Sequence, residues 1–222
     1  MSDPVDLSKL DPAVLAKHLA NPQGPLGIAI TAAINKTNAG PYTAACAKLA
    51  LQKGDRILEI GFGNGHEIGR LLASAPSVIY TGVDFSETMV SEAASRNAAA
   101  IEQRRVSLRH GSSSALPFPL NSFDKALALN TIYFWENPLV DITEIRRVLR
   151  EGGRFVLGSV APRSTKTREV FRHGFCFYET EELTNLFKRA GFASVDIQTL
   201  HEDTVSTSGE QMQRDYFIVT GR

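Results

Sequence analysis

The segment Ile57-Leu58-Glu59-Ile60-Gly61-Phe62-Gly63-Asn64-Gly65 runs an apolar stretch into three glycines at alternate positions. Glycine suits a backbone that must take positive φ or touch a ligand closely. The free N–H groups where a helix then begins attract a polar or anionic group. A dinucleotide fingerprint of the form GxGxxG would need glycine at position 66, where this chain has His66. A second segment, Tyr80-Thr81-Gly82-Val83-Asp84, ends in a carboxylate about 20 residues beyond the loop, where an acid can accept hydrogen bonds from both ribose hydroxyls. The chemistry the two segments share is nucleoside binding.

Further candidates fall in two aromatic runs. Asn130-Thr131-Ile132-Tyr133-Phe134-Trp135-Glu136-Asn137-Pro138 places three consecutive aromatics after an apolar segment, unlike ordinary loop composition. Such rings either enclose a cation and an apolar ligand or pack a sheet edge against neighbouring helices. Phe171-Arg172-His173-Gly174-Phe175-Cys176-Phe177-Tyr178 is the second run. Within it His173 is a general base by residue type, since its ordinary pKa of about 6.5 suits proton abstraction at neutral pH. A solvated or structural histidine is the alternative. Cys176, flanked by aromatics, reads as a buried apolar residue.

These residues need a scaffold, and the chain spells one out. Asp11-Pro12 opens a helix to about Ala20, Leu26 to about Lys36 is a second, and Pro41 opens a third through Leu49, with a break at Asn38-Ala39-Gly40. Residues 1–50 are therefore expected to form a helical cap, and 51–222 the domain that carries the glycine loop. From Asp55 strands and helices alternate: Arg56–Ile60, helix Gly65–Ala75, Val78–Val83, helix Ser86 to about Ala99, Val106–Leu108, Phe123–Leu129, helix Pro138–Leu149 and Arg154–Ser159, the last entered through a turn at Glu151-Gly152-Gly153. That order predicts a doubly wound α/β fold with a largely parallel sheet and a ligand site at the carboxyl ends of the strands. A helix over Thr180–Ala190, capped by Thr180, precedes strands Ser194–Leu200 and Asp215–Thr220, which imply an antiparallel strand at the end of the sheet.

Composition narrows the classes. The 222 residues carry 24 Lys plus Arg against 24 Asp plus Glu, without the basic excess of a dedicated nucleic-acid binder. Hydrophobic residues at 43% and charged ones at 22% fit a globular chain. Cys46 and Cys176 form no CxxC pair, so neither a disulfide framework nor a metal site is expected. Met1–Asp6 lacks a secretory leader and no stretch is long enough for a bilayer, so a cytoplasmic location and no membrane partner are expected. Arg104, Arg105, Arg146, Arg147 and Arg150 read mostly as solvated surface.

The motifs together resemble a known family. Gly61, Gly63 and Gly65, with Glu59 as the acid ahead of them, are similar to motif I of the class I S-adenosylmethionine-dependent methyltransferases. Phe85-Ser86-Glu87-Thr88-Met89 resembles that family's D-x-S-x-x-M stretch, Gly111–Pro119 its G-D-A-x-x-L-P-F loop, Ser122-Phe123-Asp124 its S-F-D, and Arg147–Gly153 its R-V-L-K-P-G-G turn. The resemblance implies a Rossmann-like seven-stranded sheet whose final strand is antiparallel, and S-adenosyl-L-methionine as cofactor. It implies that the three glycines hold the donor's methionine end, that Asp84 binds ribose, and that Ser112 and Ser113 lie near adenine beside Phe85, Met89 and Leu116. Ser112 stands where many relatives have aspartate.

Methyl transfer to a small-molecule acceptor by in-line displacement follows as the expected activity. Asn130, Tyr133, Phe134, Trp135, His173 and Tyr178 are the expected acceptor side, Asn130 also touching the cofactor, with His173, Tyr133 and Tyr178 as its catalytic candidates. Tyr42, on a hinge spanning Ile34–Tyr42, is expected to reach the donor carboxylate, and His66 to lie near the donor's amino acid. Two rivals belong to other classes: a donor-binding protein without transferase activity, and a nicotinamide-dependent oxidoreductase. Binding of S-adenosylhomocysteine without turnover, or of NADH instead, would distinguish them.

Overall fold

The computed structural model describes residues 6–165, 168–205 and 211–222. The leader reading at Met1–Val5 and the connection 206–210 between the last two strands lie outside the described residues. Seven strands, β1 (Arg56–Ile60), β2 (Ile79–Asp84), β3 (Val106–His110), β4 (Phe123–Leu129), β5 (Leu149–Val160), β6 (Val195–Val205) and β7 (Gln211–Gly221), form one sheet in the order β3-β2-β1-β4-β5-β7-β6. Strands β1 to β5 pair in parallel, and β7 runs antiparallel to both β5 and β6. The antiparallel strand is thus last in sequence but interior in space, and β6 forms the edge.

The central strands are apolar on both faces because helices cover both faces. On one side α6 (Pro138–Val148) and α7 (Thr180–Arg189) bury Ile142, Ile145, Val148, Leu183 and Phe187 against Leu58, Ala126 and Phe155. On the other, Leu49 of α2 (Gly24–Leu49), Ile68 and Leu71 of α3 (Ile68–Ser74) and Ala93 of α4 (Glu87–Arg96) pack on Ile57, Tyr80 and Val156. A short α5 (Ala98–Glu102) follows α4 after a break at Asn97. Helix α1 (Pro12–Ala20), the first half of α2 and Val170 make a third cluster through Leu15, Ile30 and Val170.

Several local expectations are corrected. The second and third N-terminal helices are one 26-residue helix with Pro41 inside it, so no hinge exists at Asn38–Gly40. An interior proline removes the hydrogen bond to the carbonyl four residues back. Here that carbonyl, of Thr37, accepts from the Arg214 guanidinium instead. Gly40 leaves room at the same place for Glu202, whose Oε1 would lie 2.2 Å from a Cβ there. Helix α7 is capped not by Thr180 but by Glu179, in a reciprocal capping box with Glu182. The turn at Glu151–Gly153 lies inside a longer β5, with a register shift between Phe123 and Lys125 absorbing it. Arg147, half-exposed, also has a structural role: it forks onto Glu144 and donates to the Leu116 and Phe118 carbonyls, tying the β3–β4 loop to α6.

Candidate active site

A cavity of about 710 Å³ opens at the carboxyl ends of β1 to β4, within the usual range for small-molecule sites. Its floor is the loop after β1. Gly61 (φ +71°) and Gly63 (φ +57°) take conformations that side chains resist, and a Cβ on Gly61 would meet Thr131 Cγ2 at 2.2 Å. Gly65 does not line the cavity. It packs behind the loop, where a Cβ would come within 2.7 Å of Ala93 Cβ on α4.

Two buried carboxylates stand under this floor. Asp84, at the end of β2, accepts from the Gly63 and Ser86 amides, each at 2.9 Å, leaving lone pairs on both oxygens for further donors. Burial pushes its pKa up to about 6, against the pull of those two amides. Glu59 in β1 accepts from the hydroxyls of Tyr80 at 2.7 Å and Tyr42 at 3.1 Å. Full burial pushes its pKa up to about 7, although both hydroxyls draw it down. Tyr42 therefore lines the cavity from a continuous helix, with its hydroxyl committed to Glu59. No motif marks Tyr80 as a site residue, yet strand alternation places it on the face of Gly82 and Asp84.

The cavity walls come from several directions. Phe85, 62% exposed, and Met89, fully buried, line it together with Ser112 and Ser113; Leu116 belongs to the core instead. Asp141, in the first turn of α6, also lines it and accepts from the Ser113 hydroxyl. Burial raises the Asp141 pKa. Nothing in the local sequence marks Asp141, because the loop and helix that bring it to Ser113 are 28 residues apart. From above, α1 and α2 supply His18, Leu19, Thr31, Ile34, Asn35 and Asn38. Their connection is fastened to α4: Ser86, which caps α4, donates to the Pro22 carbonyl, and Gly24 donates to Thr88. His66 lines the cavity too.

At the far side Asn130, Phe134 and Trp135 line the wall. Asn130 has φ +58°, a conformation asparagine tolerates better than most residues. It donates to Asn38 at 3.2 Å and to the Tyr216 hydroxyl at 3.4 Å, and accepts from Tyr133 at 3.0 Å. Tyr133 does not reach this cavity. Its hydroxyl also accepts the Val160 amide, and burial drives its pKa upward, so it is held as a neutral phenol. It lines a second, smaller cavity next door.

The second aromatic run departs furthest from expectation. His173 is exposed and lines neither cavity, so its candidacy as base has no supporting geometry. Tyr178 also lines neither. Cys176 itself is exposed, not buried, its amide tied to the Tyr133 carbonyl. The phenylalanines between them turn inward and pack, tilted or edge-on, against Tyr133 and Phe134.

A family model described as a methyltransferase domain matches residues 58–157. An uncharacterized methyltransferase of Bacillus subtilis, YdaC, is 31% identical over 151 residues, covering 68% of this chain and 78% of that protein. The chain belongs to the class I S-adenosylmethionine-dependent methyltransferases. The 27-O-demethylrifamycin SV methyltransferase of Amycolatopsis mediterranei is 39% identical over 110 residues, half of this chain but 40% of that longer protein. The solved structure of a possible histamine N-methyltransferase from Thermotoga maritima superposes with a TM-score of 0.60 at 26% identity, covering 84% of this chain and 92% of that one. Methyltransferases of this family use S-adenosylmethionine, and the large cavity suits it. Its volume is adequate, its floor admits backbone contact, and Asn64 Nδ2 and Thr131 Oγ1, on lining residues, are buried without partners. Among the described residues no helix is long and apolar enough to cross a membrane.

Proposed function

We propose that this protein transfers a methyl group from S-adenosylmethionine to a small-molecule acceptor by in-line displacement. When bound, the donor supplies a methyl already activated on a sulfonium, so the chain's own work is alignment and exclusion of water. In this reading Gly61 and Gly63 offer backbone to the methionine end, with Glu59, Tyr42 and His66 near it. Asp84 accepts from ribose. Ser112 and Ser113 border the adenine, and Asp141 supplies through Ser113 the carboxylate that position 112 lacks. Phe85 and Met89 provide its apolar contacts. Residues 1–50 act as a helical cap over the donor and 51–222 as the methyltransferase domain. Phe134, Trp135 and Asn130 face the acceptor, while Tyr133 positions Asn130.

The observation that carries the reading is Asp84: a buried carboxylate, pre-ordered by two amides, on the wall of a large cavity beside a glycine loop. The small-molecule acceptor is supported by the partly enclosed cavity and by relatives such as the rifamycin methyltransferase, named for such a substrate. Calorimetric titration with S-adenosylhomocysteine tests it. Micromolar binding that Asp84→Ala weakens at least tenfold, about 1.4 kcal/mol, is expected. Absence of binding by the parent protein would sink the proposal.

A further inference from the structure

Beyond Asn130 and Phe134 the donor cavity adjoins a second chamber of about 120 Å³, the scale of a cavity that holds a benzene-sized molecule. Leu19, Ile34, Asn38, Asn130 and Phe134 line both spaces and stand between them. Most of the chamber wall is apolar. Phe175 sits 4.7 Å from Phe134 and 5.2 Å from Phe171, ring centre to ring centre, and Leu15 and Val170 complete that side.

Two guanidiniums line the same small chamber. Arg214 is 8% exposed, lies 4.5 Å over the Tyr216 ring, and pairs with Glu202 at 2.6 Å. Its Nε is buried without a partner. Arg168 lies 5.3 Å over the Phe171 ring, and no carboxylate among the described residues pairs with it. Its pKa is lowered first by burial and then by the charge of Arg214. The nearby Asp215 is already taken by Arg163 and His201. The chamber wall therefore carries two positive charges and one negative partner. Desolvating an uncompensated guanidinium in an aromatic pocket is unfavourable unless an anion arrives to meet it.

We infer that the methyl acceptor is a small carboxylic acid, its carboxylate held by Arg168 in this chamber and its nucleophilic atom directed past Asn130 and Phe134 toward the donor. The inference rests on the methyltransferase reading and adds the substrate class. A planar guanidinium fork matches a carboxylate in two parallel hydrogen bonds, and the rings accept a flat or apolar body. Neutral isosteres lose the charge-assisted bonds and leave Arg168 as it was.

The test uses benzoate and its uncharged isostere benzamide, each titrated into protein saturated with S-adenosylhomocysteine. Benzoate is expected to bind at least tenfold more tightly than benzamide. Arg168→Gln should abolish that preference, and Arg168→Lys should restore part of it. Affinity for S-adenosylhomocysteine should stay within twofold in both variants, which also reports that they fold. Equal binding of the two probes, binding of neither, or a preference that survives Arg168→Gln would overturn the inference and leave the donor site standing. Failure of S-adenosylhomocysteine to bind the parent would instead overturn the methyltransferase reading and the acceptor role with it.

Discussion

The donor cavity and the chamber beside it are built on opposite electrostatic plans. The donor floor buries two carboxylates, Glu59 and Asp84, and compensates each locally: two tyrosine hydroxyls for one, two backbone amides for the other. The chamber wall carries two guanidiniums, of which only Arg214 has a carboxylate partner among the described residues. Acids that accept hydrogen bonds suit a ligand rich in hydroxyl and amino donors, whereas uncompensated cations suit an anion. Asn130 and Phe134 are among the residues of the wall between them, which touch both.

The largest effect that would sharpen this contrast concerns Arg214, which has a structural duty that Arg168 lacks. Arg214 replaces the donor that Pro41 removes from the Thr37 carbonyl and also pairs with Glu202. Arg214→Met should cost about 2–4 kcal/mol of stability, because it strands a carbonyl and a half-buried carboxylate together. In urea denaturation the same change in a Pro41→Ala background should cost at least about 1 kcal/mol less, since the alanine restores a backbone N–H that the Thr37 carbonyl can accept from. Equal costs in the two backgrounds would show that the carbonyl is not what Arg214 stabilises.

A middle-sized effect separates the two regions by pH. Asp84 titrates at about 6 in the folded chain, above its ordinary 3.8, because burial disfavours its charge. Ribose hydroxyls donate best to the ionised form. Affinity for S-adenosylhomocysteine should therefore be level at neutral pH and fall about tenfold per unit below pH 6, with proton release on binding in that range. The free protein should respond in the opposite sense. Raised folded-state pKa values at Asp84 and Glu59 stabilise the fold at low pH, and that contribution is lost as pH rises from about 4 to about 7. The chamber, held by guanidiniums, should show no such dependence for benzoate between pH 7 and 5, the range over which the donor's affinity falls. A benzoate affinity that tracks the donor's would mean that the two spaces titrate as one.

The same contrast explains what was legible in the sequence. Glu59, Gly61, Gly63 and Asp84 sit on two neighbouring parallel strands and the loop that follows one of them, so a short motif contains most of the donor floor. The sheet was readable for a related reason: its strands are short apolar runs between helices, and burial on both faces leaves that pattern in the residues themselves. The second chamber has no such economy. It gathers residues from Leu7 to Tyr216, and the pairing of Arg214 with the Thr37 carbonyl spans 177 positions. Pro41 reads locally as a helix start; only the distant guanidinium makes it a helix interior. His173 failed for the complementary reason. Residue type nominated it, but the chain turns its phenylalanine neighbours inward and leaves the imidazole in water.

The smallest effect probes the adenine end, where Ser112 replaces the family's acid and Asp141 approaches through Ser113. If Asp141 already supplies the negative charge that this end of the cavity uses, a second carboxylate brings repulsion along with a better acceptor. Ser112→Asp should then leave S-adenosylhomocysteine affinity within twofold of the parent, yet tighten it about threefold, or about 0.6 kcal/mol, in an Asp141→Asn background. Asp141→Asn alone should weaken binding by a similar factor. Such compensation between positions 112 and 141 is the signature of two acids serving one site. Equal gains in both backgrounds would mean that Asp141 only braces the Ser113 loop, and that the donor floor and the adenine wall are energetically separate.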